Sequence, residues 1–265
     1  MNTRIRDAIC RLALRTYVSA VLVFILLPLV TIAAMSFTPG EFLQFPPQGF
    51  SLRWYHELAA SSQWMTALRN SLVVALGSAI LATTIGGASA YALYRYDYRF
   101  GALLAGLTTV PTLLPPVILG VAFMTFFVSL GVVGQVSNLV VAHAVFVTPF
   151  PFVLISQGLD EVDRSYEEAS RNLGASRLTT LRTITLPLVR ANVFSGALFA
   201  FILSLNEYII AWLVAGFAFK TIPIQIFTSL RYSYSPIIAA ISVVFILATV
   251  AVMFGIDRLS GGIWE

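Results

Sequence analysis

"SYEEASRNLGASRLTTLRTITLPLV", Ser165–Val189, is a polar interruption in a chain that is otherwise greasy almost throughout. Of the 265 residues, 58% are hydrophobic and 11% are charged, less than half the roughly 25% charge of a soluble domain. Mean hydropathy is +0.87. On both sides of the quoted stretch, apolar runs recur at the length that crosses hydrocarbon, about 20 residues, and most show no polar face at helical period. The fold class is therefore all-α polytopic membrane protein, and the quoted stretch belongs to a segment outside the bilayer.

Working outward, six transmembrane helices are expected at about 17–37, 66–94, 101–128, 134–157, 191–215 and 237–256, in a single domain over 1–265. The first apolar run is too long for a signal-peptide core, so an uncleaved anchor is expected. With the N-terminus inside, Arg53, Arg69, Lys220 and Arg231 fall outside and the other twelve of the 16 basic residues fall inside. That bias orients the chain with both termini, and the 160–190 segment, in the cytoplasm. The basic residues flank spans, so they are topological charge rather than a nucleic-acid surface. Cys10 stands alone, which excludes an internal disulfide. In the outer 38–65 segment an amphipathic piece starts at Ser51, and Trp54, Tyr55 and Trp64 suit the membrane–water interface. Ser235 and Pro236 are a cap and first helical residue for the sixth span. Pro111, Pro115 and Pro116 bend the third span, as a hinge, a cavity lining or a packing kink.

Inside the quoted stretch, Ser165 and Glu168 have the spacing of a capping box, opening a short helix from Tyr166 to Leu173. Gly174 then suits a left-handed helix end, Ser176 caps a second short helix, and Pro187 breaks it at Leu186. So short a first helix must pack on something. Two readings stay open: a connector laid against its own bundle, or a surface gripped by a soluble partner.

Glu168-Ala169-Ser170, Gly174, then nine residues to Ile184, Leu186 and Pro187 resemble the EAA loop (E-A-A-x3-G-x9-I-x-L-P) of permease subunits in ATP-binding-cassette importers, with Ser170 for the second Ala. "LRWYHEL", "ALYRYDYRF" and "IPIQIF" extend the likeness over nearly the whole chain, towards the second permease of spermidine/putrescine importers. The resemblance implies a type I ABC importer permease architecture in a bacterial cytoplasmic (inner) membrane. It also implies a cytoplasmic ATPase dimer, a second homologous permease and a periplasmic or extracellular solute-binding protein as partners, beside membrane lipid. Glu168, Ala169, Ser170 and Gly174 would form the ATPase-coupling site, with Arg171 and Arg177 as ionic contacts. The chain itself is expected to be no enzyme and to hold no cofactor. Its one lysine, Lys220, follows Phe219, so it cannot belong to a phosphate-binding G-x-x-x-x-G-K-[ST] loop; ATP and Mg belong to the partner ATPase.

Glu207 is the one acidic residue well inside a span, about 24 Å along the fifth helix at 1.5 Å per residue. Such residues face a cavity or a partner. Glu207 with Asn206, Tyr208 and Trp212 is a substrate-pathway candidate, offering countercharge and aromatic faces to a cationic solute. The alternative is a gate or packing contact with Arg69, Lys220 or the second permease. Related polyamine permeases resemble this place with one more carboxylate than Leu205-Asn206-Glu207 supplies. His143 reads as a hydrogen-bonded packing residue, Asp97 as a partner of Arg95 and Arg99, and Asp160, Glu161 and Asp163 as a solvated face; no metal site is expected. The function implied is import of a small amine-type solute, a polyamine such as spermidine or putrescine. Another organic solute (an aminophosphonate or amino acid derivative) or an intramembrane lipid-modifying enzyme are the alternatives. The enzyme class lacks H-E-x-x-H, nucleophile-elbow and paired-Asp motifs.

Overall fold

The computed structural model describes residues 3–96, 99–232 and 234–259, with side chains from Cys10 to Val250. Asp97 lies outside the described residues. The backbone groups into two units, Gln63–Phe227 and Met1–Ser62 with Thr228–Glu265.

In the second of these, α1 (Thr3–Met35) is one long helix, and its apolar side chains from Leu12 to Val30 are exposed. The amphipathic piece predicted from Ser51 is α2 (Arg53–Ala60), whose first amide donates to the Ser51 hydroxyl at 3.1 Å. Trp54 and Leu58 are buried, and the Trp54 indole donates to the Thr38 carbonyl at 2.9 Å. Tyr55 shares a 2.7 Å hydrogen bond with Ser36. Trp54 and Trp64 are therefore core residues rather than the interfacial belt expected of them.

The Gln63–Phe227 unit is built on α3 (Ser62–Arg95), 34 residues without a break. The next three apolar segments are each divided. α4 (Gly101–Thr109) and a 3₁₀ turn (Val110–Leu113) meet α5 (Pro116–Ser129) at 108°. The expected third span is thus folded back rather than bent. The residue before a proline is pushed out of the helical region, and Leu114 and Pro115, each preceding one, sit at ψ 133° and 136°. The expected fourth span is also two helices, α6 (Val136–Val147) and α7 (Pro149–Asp160), meeting at 45°. Pro149 and Pro151 remove two amides from the joint. α8 (Arg164–Asn172), α9 (Arg177–Thr180), a π turn (Leu181–Thr185) and α10 (Leu186–Leu188) form the polar segment.

The predicted break at Leu186 falls instead at Val189. The π turn widens the hydrogen-bond ring, with the Leu186 amide reaching Leu181, and Pro187 then sits in the first turn of α10, where its missing donor costs nothing. At Val189 the chain turns by 74° into α11 (Arg190–Asn206). The expected fifth span stops again at Glu207, and α12 (Ile209–Ala215) follows. α13 (Ile222–Tyr232) precedes α14 (Ile237–Leu259). The Ile237 amide is 3.4 Å from the Ser235 hydroxyl, so Ser235 is at most a long cap.

Helix α7 is held between α3 and α11 by direct backbone approach. A Cβ on Gly86 would meet the Phe152 nitrogen at 2.9 Å, and one on Gly196 would meet the Pro151 Cα at 2.7 Å. Small residues at helix crossings let backbones meet in this way. A second cluster, with Leu119, Leu139, Ile210 and Val214 at its centre, packs α12 against α5 and α6.

Candidate functional site

Two places gather the candidate residues. The first is the polar segment. α8 starts two residues earlier than predicted: Asp163, not Ser165, is the cap, and its carboxylate accepts the Ser165 amide at 2.8 Å. That backbone hydrogen bond holds the Asp163 carboxyl below the usual carboxylate range. A carboxylate at a helix N-terminus also meets the positive end of the helix dipole, which is why Asp163 displaces Ser165 from this role. Asp163 is therefore a cap, not part of a featureless acidic face.

Gly174 has φ +89°, the left-handed end anticipated for it, with open space where a side chain would go. Ser176 caps α9 as predicted, accepting the Thr179 amide at 3.1 Å.

The candidate coupling residues divide by face. Glu168, Ala169 and Arg171 are exposed. Ser170 is half-buried and hydrogen-bonds Thr180 at 3.2 Å, bracing α8 on α9. Arg177 donates to the Tyr96 hydroxyl at 3.0 Å, a contact within the chain. Arg95, Glu168, Arg171, Asn172, Gly174 and Ala175 line a depression of about 440 Å³. The same polar segment carries exposed apolar side chains, Tyr166, Leu178 and, at 89% exposure, Leu173.

Sequence reasoning passed over Glu167. One residue from Glu168, it is rotated about 100° around the helix and points inward, 2% exposed. The Thr185 hydroxyl donates to it at 2.5 Å, and the Arg95 Nε lies 3.5 Å away. Arg95, read as topological charge, is thus the half-buried cation paired with a buried carboxylate.

The second place is the break between α11 and α12. Glu207 sits there at ψ 125° and 8% exposed. Its two oxygens accept the amides of Ile209 at 2.9 Å and Ala211 at 3.0 Å. The carboxylate thereby satisfies donors that the broken helix leaves open. Among the described residues its ion-pair partner is His143, at 3.4 Å, rather than Arg69 or Lys220. The distance is too long for a well-formed hydrogen bond. The other ring nitrogen of His143 is 2.8 Å from the Ser204 hydroxyl, in keeping with its expected packing role. Tyr208 is covered on one face by Phe227, centroids 4.1 Å apart. Asn206 donates to its own helix at Ile202, and Trp212 is 53% exposed. Pro149 flagged one unexpected break in the sequence; Glu207, capping its own helix, was the unread flag for the other.

Residues 82–263 match the family described as binding-protein-dependent transport system inner membrane component. The chain belongs to that family: it is a transmembrane permease subunit of an importer. It is 29% identical over 237 residues to the spermidine/putrescine transport system permease protein PotC of Haemophilus influenzae, covering 89% of this chain and 92% of that one. It is 34% identical over 226 residues to the putrescine transport system permease protein PotI of Escherichia coli K12, covering 83% and 80%. The fold is that of a solved bacterial ABC transporter involved in the import of alginate, with TM-score 0.76 at 19% identity over 96% of this chain and 97% of that one.

Proposed function

We propose that this chain forms half of a translocation pathway for a small amine-type solute, a polyamine such as spermidine or putrescine, and works by alternating access. A second permease supplies the other half, and a solute-binding protein delivers the solute from outside. Both termini and the polar segment face the cytoplasm. There a pair of ATPase subunits, which bind the ATP and Mg, hold the outward face of α8. Glu168, Ala169, Arg171 and Gly174 make that contact, with Ser170 and Arg177 keeping α8 and α9 in place beneath it.

The observation that supports this reading is the open face of α8. α8 packs its inner face on its own chain and leaves the other open, beside a left-handed Gly174 and the bare apolar side chain of Leu173. The polyamine assignment rests on the relatives named PotC and PotI. Trp212, which is exposed, is the aromatic group best placed to meet an ammonium. Glu207 meets its own backbone, which favours a structural part for it over direct countercharge. An aminophosphonate or amino acid derivative is the alternative cargo.

The experiment is uptake of labelled putrescine and spermidine into cells carrying the whole importer, with Gly174→Val beside wild type. A β-branched residue at positive φ costs about 1–2 kcal/mol, enough to deform the turn. Loss of uptake at least tenfold, with the permease still in the membrane and the ATPase no longer co-purifying, is expected. Wild-type uptake by Gly174→Val would overturn the docking assignment. Wild-type cells that import neither amine would overturn the solute.

A further inference from the structure

Three consecutive residues, the last two of α3 and Tyr96 just past it, grip the polar segment. The Tyr94 carbonyl accepts from the Arg164 guanidinium at 2.7 Å, Arg95 pairs with Glu167 at 3.5 Å, and the Tyr96 hydroxyl accepts from Arg177 at 3.0 Å. Glu167 is the innermost of these contacts, and it also takes the Thr185 hydroxyl. Thr185 is fully buried in the π turn, four residues before the bend at Val189. One carboxylate therefore joins three pieces of chain: the end of the 34-residue α3, the inward face of α8, and the lead into α11.

An apolar residue in place of Glu167 would cost less desolvation; the carboxylate instead ties three elements through directional contacts. Arg95 reaches further, since its remaining surface lines the depression beside Glu168 and Arg171. A partner surface seated on α8 thus lies within one side chain of α3.

We propose that Arg95, Glu167 and Thr185 are positioning residues that pass displacement of α8 to α3, so that movement of the docked ATPase reaches the membrane as movement of one long helix. The proposal rests on the docking reading given above.

The test is hydrogen exchange on the whole purified complex, comparing the nucleotide-free state with the ADP–vanadate-trapped state, so that no solute is needed. In wild type, trapping is expected to change exchange in both α8 and the inner end of α3, Ala90–Tyr96. Glu167→Gln keeps an acceptor for Thr185 and loses the charge. Its α8 response should stay within about twofold of wild type while its α3 response falls about fivefold or more. Arg95→Gln should behave alike, and covers the case in which Glu167→Gln fails to assemble. Arg95→Lys, which keeps the cation, should restore much of the α3 response, which a purely structural role would not require. An undiminished α3 response in both charge-removing variants would overturn the inference while leaving the docking reading intact. Absence of any α8 response in wild type would overturn both.

Discussion

Two helix interruptions in this chain are handled in opposite ways. At Gly174 the chain turns in the open, with backbone conformation alone making the turn and nothing packed against it. At Glu207 it turns inside the protein, where each freed amide must be answered by a protein atom, and a buried carboxylate answers two of them. The difference is one of solvent. Water satisfies a loose helix end for nothing, whereas an interior leaves the full desolvation penalty on any donor without a partner. The open turn is free to serve a partner, and the buried one is occupied by its own chain.

Replacing the buried group gives the largest effect. Glu207→Ala leaves the Ile209 and Ala211 amides without their acceptor, at roughly 1–3 kcal/mol for each orphaned group. The unfolding temperature in detergent should drop clearly, and Glu207→Gln should recover part of the loss through its remaining oxygen. An unchanged unfolding temperature with uptake abolished would break the contrast, since Glu207 would then serve the solute and not the fold.

A smaller effect is expected at the brace between α8 and α9. Ser170→Ala loses one part-buried hydrogen bond to Thr180, about 1 kcal/mol. Uptake should stay close to wild type, because the outward face keeps its shape. A severe transport defect with normal stability would show that the hydroxyl itself faces the ATPase, and would sharpen the map of the docking surface.

The smallest effect belongs to the exposed cap. The Asp163 carboxyl is held below its ordinary value, so the ionised form favours the folded helix. Its contribution is complete above the ordinary carboxylate value and fades as pH falls through the lowered one. Protection of the Ser165 amide, taken against its intrinsic exchange rate at each pH, should therefore fall on acidification, and Asp163→Asn, also a good cap, should remove that pH dependence. A Ser165 amide indifferent to both changes would place the start of α8 elsewhere.

What could be read before the structure follows from range. Gly174, Ser176 and the Asp163 neighbourhood involve residues within a few positions of each other, and local patterns locate such turns to within a residue or two. Apolar runs located the long helices α1, α3 and α14, and the spaced Glu168–Pro187 pattern located the polar segment. Hydropathy averages over a window, so it saw α6 and α7 as one greasy run, and α4 and α5 likewise, although proline pairs stood at both joints. Glu167 was invisible for another reason. Its identity as a buried residue depends on Arg95 and Thr185, which are distant in sequence, and Glu168 beside it carried the recognisable pattern. His143 and Glu207 are a second pair of that kind.

The glycine crossings have a mechanical consequence. Where Gly86 meets Phe152 and Gly196 meets Pro151, no layer of side chains lies between the backbones, so there are no rotamers to rearrange and no lubricating surface on which one rod can slide past another. α3, α7 and α11 are fastened together at these two crossings, and bending of this unit falls to the places where its helices are already broken, at Val189, at Leu114–Pro115 and at Glu207.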